Sequence, residues 1–356
     1  MKVLHLASVN RWTGAAAPAF AETMALREAG IDAHYAYVGG YKLAAKLAPV
    51  DFAHPVIDKA QNPRAFVRSV GAIERLLLHH RFDVIHAHLT YDHWLARFAA
   101  RMVSGAHVAR TFHARRVLRS DPFTRSLIAR SEAVFIVNST FRDAPALRDR
   151  EPVFTPPPLD REQFTPQGPN VRARYGIAPG APLLAAIGKL AWGRGFEAVL
   201  DTFAGVRRTV GGARLMIIGH GGARPALERH AANLGVADAV VWAGYHEDDL
   251  ADHYRAADVL LFTAAGSDEG HRAVIEAMGC GVIPVTYPLT GMDAILGDLA
   301  PRLIAESGTS DSLALKVTTV LGGKTAELQR HAYERSEEFG YERAARRLSD
   351  AYFSLF

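Results

Sequence analysis

Short apolar runs recur along this chain, and each is followed by a segment with helical spacing. Val3 to Ala7 precedes the alanine-rich stretch Ala15 to Ala29, and Ala33 to Val38, Val84 to Ala87, Ala106 to Thr111 and Ala133 to Val137 continue the series. Such alternation reads as repeated strand-helix units, in which the helices supply the crossovers that parallel strands require. The pattern stops at Glu151 to Asp160 and at Pro166 to Pro169, where proline and glycine exclude a helix or a central strand. It resumes at Leu183 to Ile187, Leu215 to Ile218, Val240 to Trp242, Val259 to Phe262 and Ile283 to Thr286. The expected fold is α/β, with two Rossmann-like domains facing each other across a cleft, residues 1–165 and 166–336. In the last segment, Ala344, Leu348, Tyr352 and Leu355 fall at helical spacing.

A chain of 356 residues is long enough for two hydrophobic cores. With 49% apolar and 22% charged residues it has the composition of a globular protein, and no apolar run approaches the ~20 residues that span a bilayer. The N-terminal Met1 to Ser8 is too short for a secretory signal and reads as a first buried strand, so a cytoplasmic location is expected. Cys280, the one cysteine, is expected to be a packed thiol. Charge is unevenly shared. Residues 1–165 carry 22 Lys/Arg against 15 Asp/Glu, a net +7, whereas residues 166–356 carry 19 against 22, a net −3. A basic first half favours an anionic partner there.

The densest chemistry lies in Ser267 to Gly281. Asp268 and Glu276 stand eight residues apart, the first in a loop after the strand Val259 to Phe262, the second on the helix that follows. Loops after strands face the ligand crevice of a parallel sheet, and the amides near Gly270 and His271 would present the positive end of that helix to an anion. This stretch resembles the Glu-x7-Glu element of glycosyltransferase family 4, the retaining GT-B-fold enzymes that use nucleotide sugars. Ile187 to Phe196, with Lys189 and Arg194, resembles the family's Gly-Arg-Leu-x3-Lys-Gly segment, with the basic residues exchanged in kind. Leu215 to Gly221, containing Gly219, and Val241 to Tyr245, containing Gly244 and Tyr245, continue the same order of strands and glycines. Asp83 to His88 and Thr111 to His113 extend the likeness into the first half.

The resemblance implies a role for each position. Lys189 and Arg194 would stabilise the leaving diphosphate, and Glu276 would accept hydrogen bonds from the ribose diol, which its two oxygens match. Asp268, where many relatives have glutamate, would face the transferred sugar. Gly14 would let the backbone approach a phosphate, and His113 would hydrogen-bond the sugar near the reacting centre. Arg272 reads equally as a phosphate contact or as an i,i+4 partner of Glu276. Gly219, Gly244, Tyr245, Gly270 and His271 complete the expected donor site. Of His86 and His88, taken as pointing to opposite faces of one strand, His88 is the expected cleft residue. The last helix, with residues 337–356, would cross back to the first domain.

No Asp-x-Asp or His-Glu-x-x-His is present, so no metal ligand is assigned and transfer is expected to be metal-independent. No cofactor is expected, because the nucleoside diphosphate sugar (UDP or GDP) is a substrate. Gly322 to Thr325 imitates the end of a phosphate loop, but Thr318 occupies the place of its first glycine. The expected function is hexosyl transfer to a glycan or lipid-linked acceptor in polysaccharide or glycolipid synthesis. An epimerase of the same architecture and a noncatalytic glycan- or lipid-binding protein are the alternatives. Nucleic acid is not an expected partner. An anionic membrane surface is, through Phe66, Val70, Ile73 and Leu77 with Arg64, Arg68 and Arg75, and through Arg110, Arg115, Arg116, Arg119, Arg125 and Arg130.

Overall fold

The computed structural model describes residues 1–10, 15–58, 60, 62–103, 105–263 and 269–356. The chain separates into two units, Met1–Pro158 with Phe339–Phe356, and Leu159–Glu338. The first unit contains β1 (Lys2–Ala7), β2 (Asp32–Val38), β3 (Ala53–Ile57), β4 (Val84–Ala87), β5 (His107–Phe112), β6 (Ala133–Ile136) and β7 (Val153–Phe154). All pair in parallel in the order β3-β2-β1-β4-β5-β6-β7.

Successive side chains of a strand leave on opposite faces, which gives each face its own core. Leu4, Leu6, Ile85 and Val108 pack against Ile73 and Leu77 of the helix Pro63–His80 and against Leu95 and Ala99 of the helix Thr90–Met102. Val3, Val84, Ala109 and Phe135 pack on the other face against Leu26 of the helix Ala16–Glu28 and Leu348 and Tyr352 of the C-terminal helix Tyr341–Phe353. The C-terminal helix thus belongs to the first unit.

Two strands escape sequence reading. β3 carries Pro55 and is an edge strand, the position in a sheet where proline is tolerated. β7 is the opposite edge and occupies part of the proline-rich stretch, with Thr155 N donating to Ile136 O at 2.9 Å. A correction concerns the stripe assigned to a membrane surface. Ile73 and Leu77 are fully buried and Phe66 and Val70 pack against the same cluster, so this stripe is core. Arg110 leaves the basic surface as well, being 2% exposed.

The second unit holds β8 (Leu183–Ile187), β9 (Arg214–Ile218), β10 (Val240–Gly244), β11 (Val259–Phe262) and β12 (Ile283–Thr286), all parallel, in the order β10-β9-β8-β11-β12. Cys280 is buried at the end of the helix Arg272–Gly279, and burial pushes its thiol up to about 12. The Gly322 to Thr325 turn follows a helix, Ser310–Gly322, and not a strand, which removes the phosphate-loop reading.

One glycine is dictated by close approach. Gly219 ends β9 at φ +145°, and a Cβ built there would lie 1.9 Å from Gly188 O. Gly219→Ala is therefore expected to cost about 4 kcal/mol or more of folding free energy, in the range reserved for backbone strain and overpacking. Urea denaturation would reveal this as a lowered midpoint, and a midpoint near wild type would refute the approach.

Candidate functional site

In the second unit, strand order reverses direction at β8. β9 and β10 extend to one side of it, β11 and β12 to the other. The loops after β8 and β11 therefore leave neighbouring strands at the same sheet edge, the topological switch point where α/β sheets bind ligands. Thr263 Oγ1, at the end of β11, donates to Gly195 O at 2.9 Å. Gly195 has φ +77°, and a Cβ there would sit 2.4 Å from that hydroxyl, so only glycine allows the contact.

Lys189 and Arg194 lie on this glycine-bounded loop, before the helix Phe196–Thr209. Lys189 is exposed and Arg194 half-buried. Among the described residues neither side chain makes a hydrogen bond or ion pair. Two cations without a partner among the described residues, on a glycine-bounded loop that leads into a helix, suit a diphosphate.

Across the switch point, the segment after β11 leads into the helix Arg272–Gly279. Gly270 is buried, and His271 caps the helix at φ +55°, a left-handed conformation uncommon outside glycine. The His271 imidazole is 4% exposed and its Nε2 donates to Thr290 O at 3.0 Å, which anchors the turn. One turn later Glu276 is 6% exposed. The buried Tyr254 hydroxyl donates to Glu276 Oε2 at 3.0 Å, and Arg272 Nε lies 3.6 Å from Glu276 Oε1. The i,i+4 pair is therefore formed. Tyr254 thus orients the carboxylate, whose two oxygens match a vicinal diol. Sequence reading missed Tyr254, because nothing in Leu250 to Ala256 says where a tyrosine hydroxyl will point.

Gly219 and Gly244 meet at the ends of β9 and β10, Gly219 N donating to Gly244 O at 2.6 Å. Tyr245 follows, its ring edge-on to His220 and its hydroxyl donating to Glu247 Oε2 at 2.9 Å. Burial, with the hydrogen bond to Glu247, pushes the Tyr245 phenol up to about 12. Gly14 and Asp268 lie outside the described residues. A cavity lined by Pro166, Arg172, Arg255 and Cys280 opens beside Asp258 and Gly281, which precede β11 and β12, at the sheet edge away from this site.

The first unit has its own switch point between β1 and β4, whose registers align His5 with His86. Asp92 joins the loops there, Oδ1 accepting from Ser8 N and Oδ2 from Leu89 N, both at 2.8 Å. His86 and His88 correct the sequence reading. Residues two apart in a strand share a face, and both are fully buried with ring centroids 4.6 Å apart. His113 Nε2 lies 3.0 Å from His88 Nδ1, and His88 Nε2 lies 2.9 Å from His5 Nδ1. His86 is held by the Tyr352 hydroxyl at 2.5 Å on Nδ1 and by Thr111 Oγ1 at 2.6 Å on Nε2. Burial lowers all four imidazoles, His5 and His113 to about 3, so they are neutral at physiological pH. His113, half-buried at the end of this chain, keeps Nδ1 for a hydroxyl.

Three groups among the described residues have metal-ligating composition: His5 with Glu22, His86 and His88; His34 with His54 and His80; His246 with Asp249 and His253. In the third, the ring nitrogens already face Ala243 O, Asp249 and Tyr175.

Two family models match the chain in succession, "Glycosyltransferase Family 4" over residues 14–169 and "Glycosyl transferases group 1" over 168–339. The chain belongs to the family 4 glycosyltransferases. It is similar to the D-inositol 3-phosphate glycosyltransferase of Geodermatophilus obscurus, 27% identical across 76% of this chain and 66% of that protein. It is also similar to the GDP-mannose-dependent α-(1-6)-phosphatidylinositol monomannoside mannosyltransferase of Mycolicibacterium smegmatis, 30% identical across 50% and 48%. The match thus spans from about half to just under two thirds of the length of these relatives. HepE of Anabaena, solved in complex with UDP, shares the GT-B fold at a TM-score of 0.81, with 16% identity, 99% of this chain and 100% of that one covered.

Tyr254→Phe is expected to remove a hydrogen bond that orients the buried Glu276 carboxylate, lowering folding stability by about 1–3 kcal/mol. Binding of UDP or GDP should weaken in parallel. Wild-type values in both urea denaturation and calorimetry would show that Tyr254 does not hold the carboxylate.

Proposed function

We propose that the chain is a retaining glycosyltransferase that moves a hexose from a nucleoside diphosphate sugar to a phosphorylated or lipid-linked acceptor. The observation that carries this reading is the pair of cations, Lys189 and Arg194, without a partner among the described residues, on the loop after β8, whose neighbour β11 precedes the helix bearing Glu276. Their positive charge stabilises the diphosphate as the glycosidic bond breaks, without calling on a metal ion. Glu276, oriented by Tyr254, receives the ribose hydroxyls. The acceptor hydroxyl attacks from the face the nucleotide leaves, and its proton passes to the departing phosphate. No protein nucleophile is assigned. His113, neutral, supplies a hydrogen bond to a sugar hydroxyl rather than a charge. Asp268 is proposed to face the transferred sugar, and Gly14 a phosphate.

Relatives named for inositol phosphate and phosphatidylinositol mannoside support an anionic acceptor, and the +7 charge of residues 1–165 fits one. Each charge-assisted hydrogen bond contributes about 1.5–3 kcal/mol, so Lys189→Ala and Arg194→Ala should each lower turnover by roughly 10–150-fold with folding intact. The assay is release of UDP or GDP from a panel of nucleotide sugars, with and without acceptor. Wild-type turnover in both variants would overturn the assignment. Release of a free altered sugar without acceptor would indicate an epimerase.

We further propose that the first unit meets its acceptor at an anionic membrane surface. The relevant residues are not those of the helix Pro63–His80 stripe. Arg115, Arg116, Arg119, Arg125 and Arg130 are exposed, and Phe123 among them is 72% exposed. Each cation near such a surface contributes about 1 kcal/mol at low salt. Co-sedimentation with phosphatidylserine-containing vesicles at low ionic strength is expected, and Arg116→Glu with Arg119→Glu should abolish it. Equal binding to neutral vesicles, or none to anionic ones, would leave the acceptor in solution.

A further inference from the structure

The polar cluster under the helix Ala16–Glu28 is more than the glycosyl site requires. His5 on β1, His86 on β4 and His88 just beyond β4 point into the same apolar layer, where Glu22 meets them from the helix. All four side chains are at most 1% exposed. Glu22 Oε2 has no hydrogen-bond partner, yet it stands 3.8 Å from His5 Nδ1, 3.8 Å from His86 Nδ1 and 3.7 Å from His88 Nε2. A carboxylate oxygen equidistant from three imidazole nitrogens, each just beyond hydrogen-bond reach, surrounds a point that a cation would fill.

We propose that His5 Nδ1, His86 Nδ1, His88 Nε2 and Glu22 Oε2 form a structural zinc site inside the first unit. Zinc bonds imidazole nitrogen at about 2.0–2.1 Å and carboxylate oxygen at about 2.0–2.2 Å, which puts the corners of a tetrahedron roughly 3.3–3.6 Å apart. The three separations from Glu22 exceed that by a few tenths of an ångström, the 2.9 Å between His5 Nδ1 and His88 Nε2 falls short by a similar amount, and all four donor atoms lie within 4.8 Å of one another, so the side chains would rotate to close around the ion. Three imidazoles and a carboxylate are the borderline donors that zinc prefers over calcium or magnesium.

The surroundings of His86 and His88 resemble the outer shell of a metal centre, whereas His5 Nε2 has no hydrogen-bond partner among the described residues. Ligating histidines hold their tautomer by a hydrogen bond from the other ring nitrogen. His86 has Thr111 Oγ1 at 2.6 Å on Nε2, and His88 has His113 Nε2 at 3.0 Å on Nδ1. With His88 bound through Nε2, its Nδ1–H donates to His113 Nε2, which leaves the His113 Nδ1–H as a donor toward a sugar hydroxyl. The cation would thus set a tautomer at the reaction site without touching substrate. Zinc would displace the Tyr352 hydroxyl from His86 Nδ1. Arg110 opposes the added charge, but its guanidinium is tied to Thr111 O at 2.7 Å and to Ala87 O at 3.3 Å.

The test uses the full chain, free of any histidine tag and produced with zinc in the medium. Elemental analysis should find one zinc per chain, and X-ray absorption should show four N/O donors at about 2.0–2.1 Å. Glu22→Gln with His88→Gln should lose the metal, and Thr111→Val should bind it roughly 10–100-fold more weakly. His54→Gln and His246→Gln, each disrupting another histidine group, should retain it. If the double variant does not fold, a fall in the wild-type melting temperature on chelation, reversed by zinc, serves instead. A zinc-free chain whose melting temperature ignores zinc would overturn the proposal, as would loss of the metal in His54→Gln or His246→Gln. The proposal stands apart from the reading as a glycosyltransferase, since metal content is measured without turnover.

Discussion

The second unit depends on how closely two loops can approach at the edge of its sheet. Thr263 Oγ1 reaches Gly195 O only because no Cβ intervenes, and Gly219 passes Gly188 O for the same reason. These contacts draw the ends of β8, β9 and β11 into one rigid floor. On that floor the cations need no partner of their own, and Lys189 and Arg194 have none among the described residues. An unpaired cation is costly only when buried, and neither is. The loop can therefore keep two charges available without losing stability.

The first unit solves the same topology with opposite materials. Its switch point, between β1 and β4, is lined by imidazoles and carboxylates sunk into an apolar layer, where a polar group without a partner destabilises. Asp92 takes amides from both loops, His86 takes Tyr352 and Thr111, and His88 joins His5 to His113. Tyr352 comes from the last helix, so the end of the chain completes a network begun by the first strand. A C-terminal helix held by leucine alone would stabilise the unit, but would not fix the orientation of His86.

The strands of the second unit were legible because parallel β-strands are apolar throughout, and β8, β9 and β10 end at glycine. Leu183 to Ile187, Val259 to Phe262 and Ile283 to Thr286 fall where the sequence puts them. The two edge strands of the first unit were not, since β3 and β7 contain or adjoin proline and bury little. Site residues divide along the same line. Those within one contiguous motif, from Gly270 to Glu276, can be read from spacing. Partners contributed by separate elements cannot, and Tyr254, Thr263, Glu22 and His5 all belong to that class. Glu22 looks like a surface residue of an alanine-rich helix, and only the β1 to β4 pairing shows that it faces three histidines.

The reading of the apolar stripe in Pro63–His80 failed for an instructive reason. A stripe at helical spacing flanked by arginines describes equally a helix lying on lipid and one lying on a sheet. What separates them is whether a sheet face is waiting. Here β1, β4 and β5 present Leu4, Leu6, Ile85 and Val108 on the face this helix covers, and burying that face requires the stripe. The arginines are then left outside as a consequence of packing, with Arg68 paired to Asp58. By contrast, the short helix Pro122–Ala129 buries Leu127 and Ile128 and still exposes Phe123 among arginines. A large apolar side chain left outside after the core is satisfied is the stronger sign of a surface that meets something else.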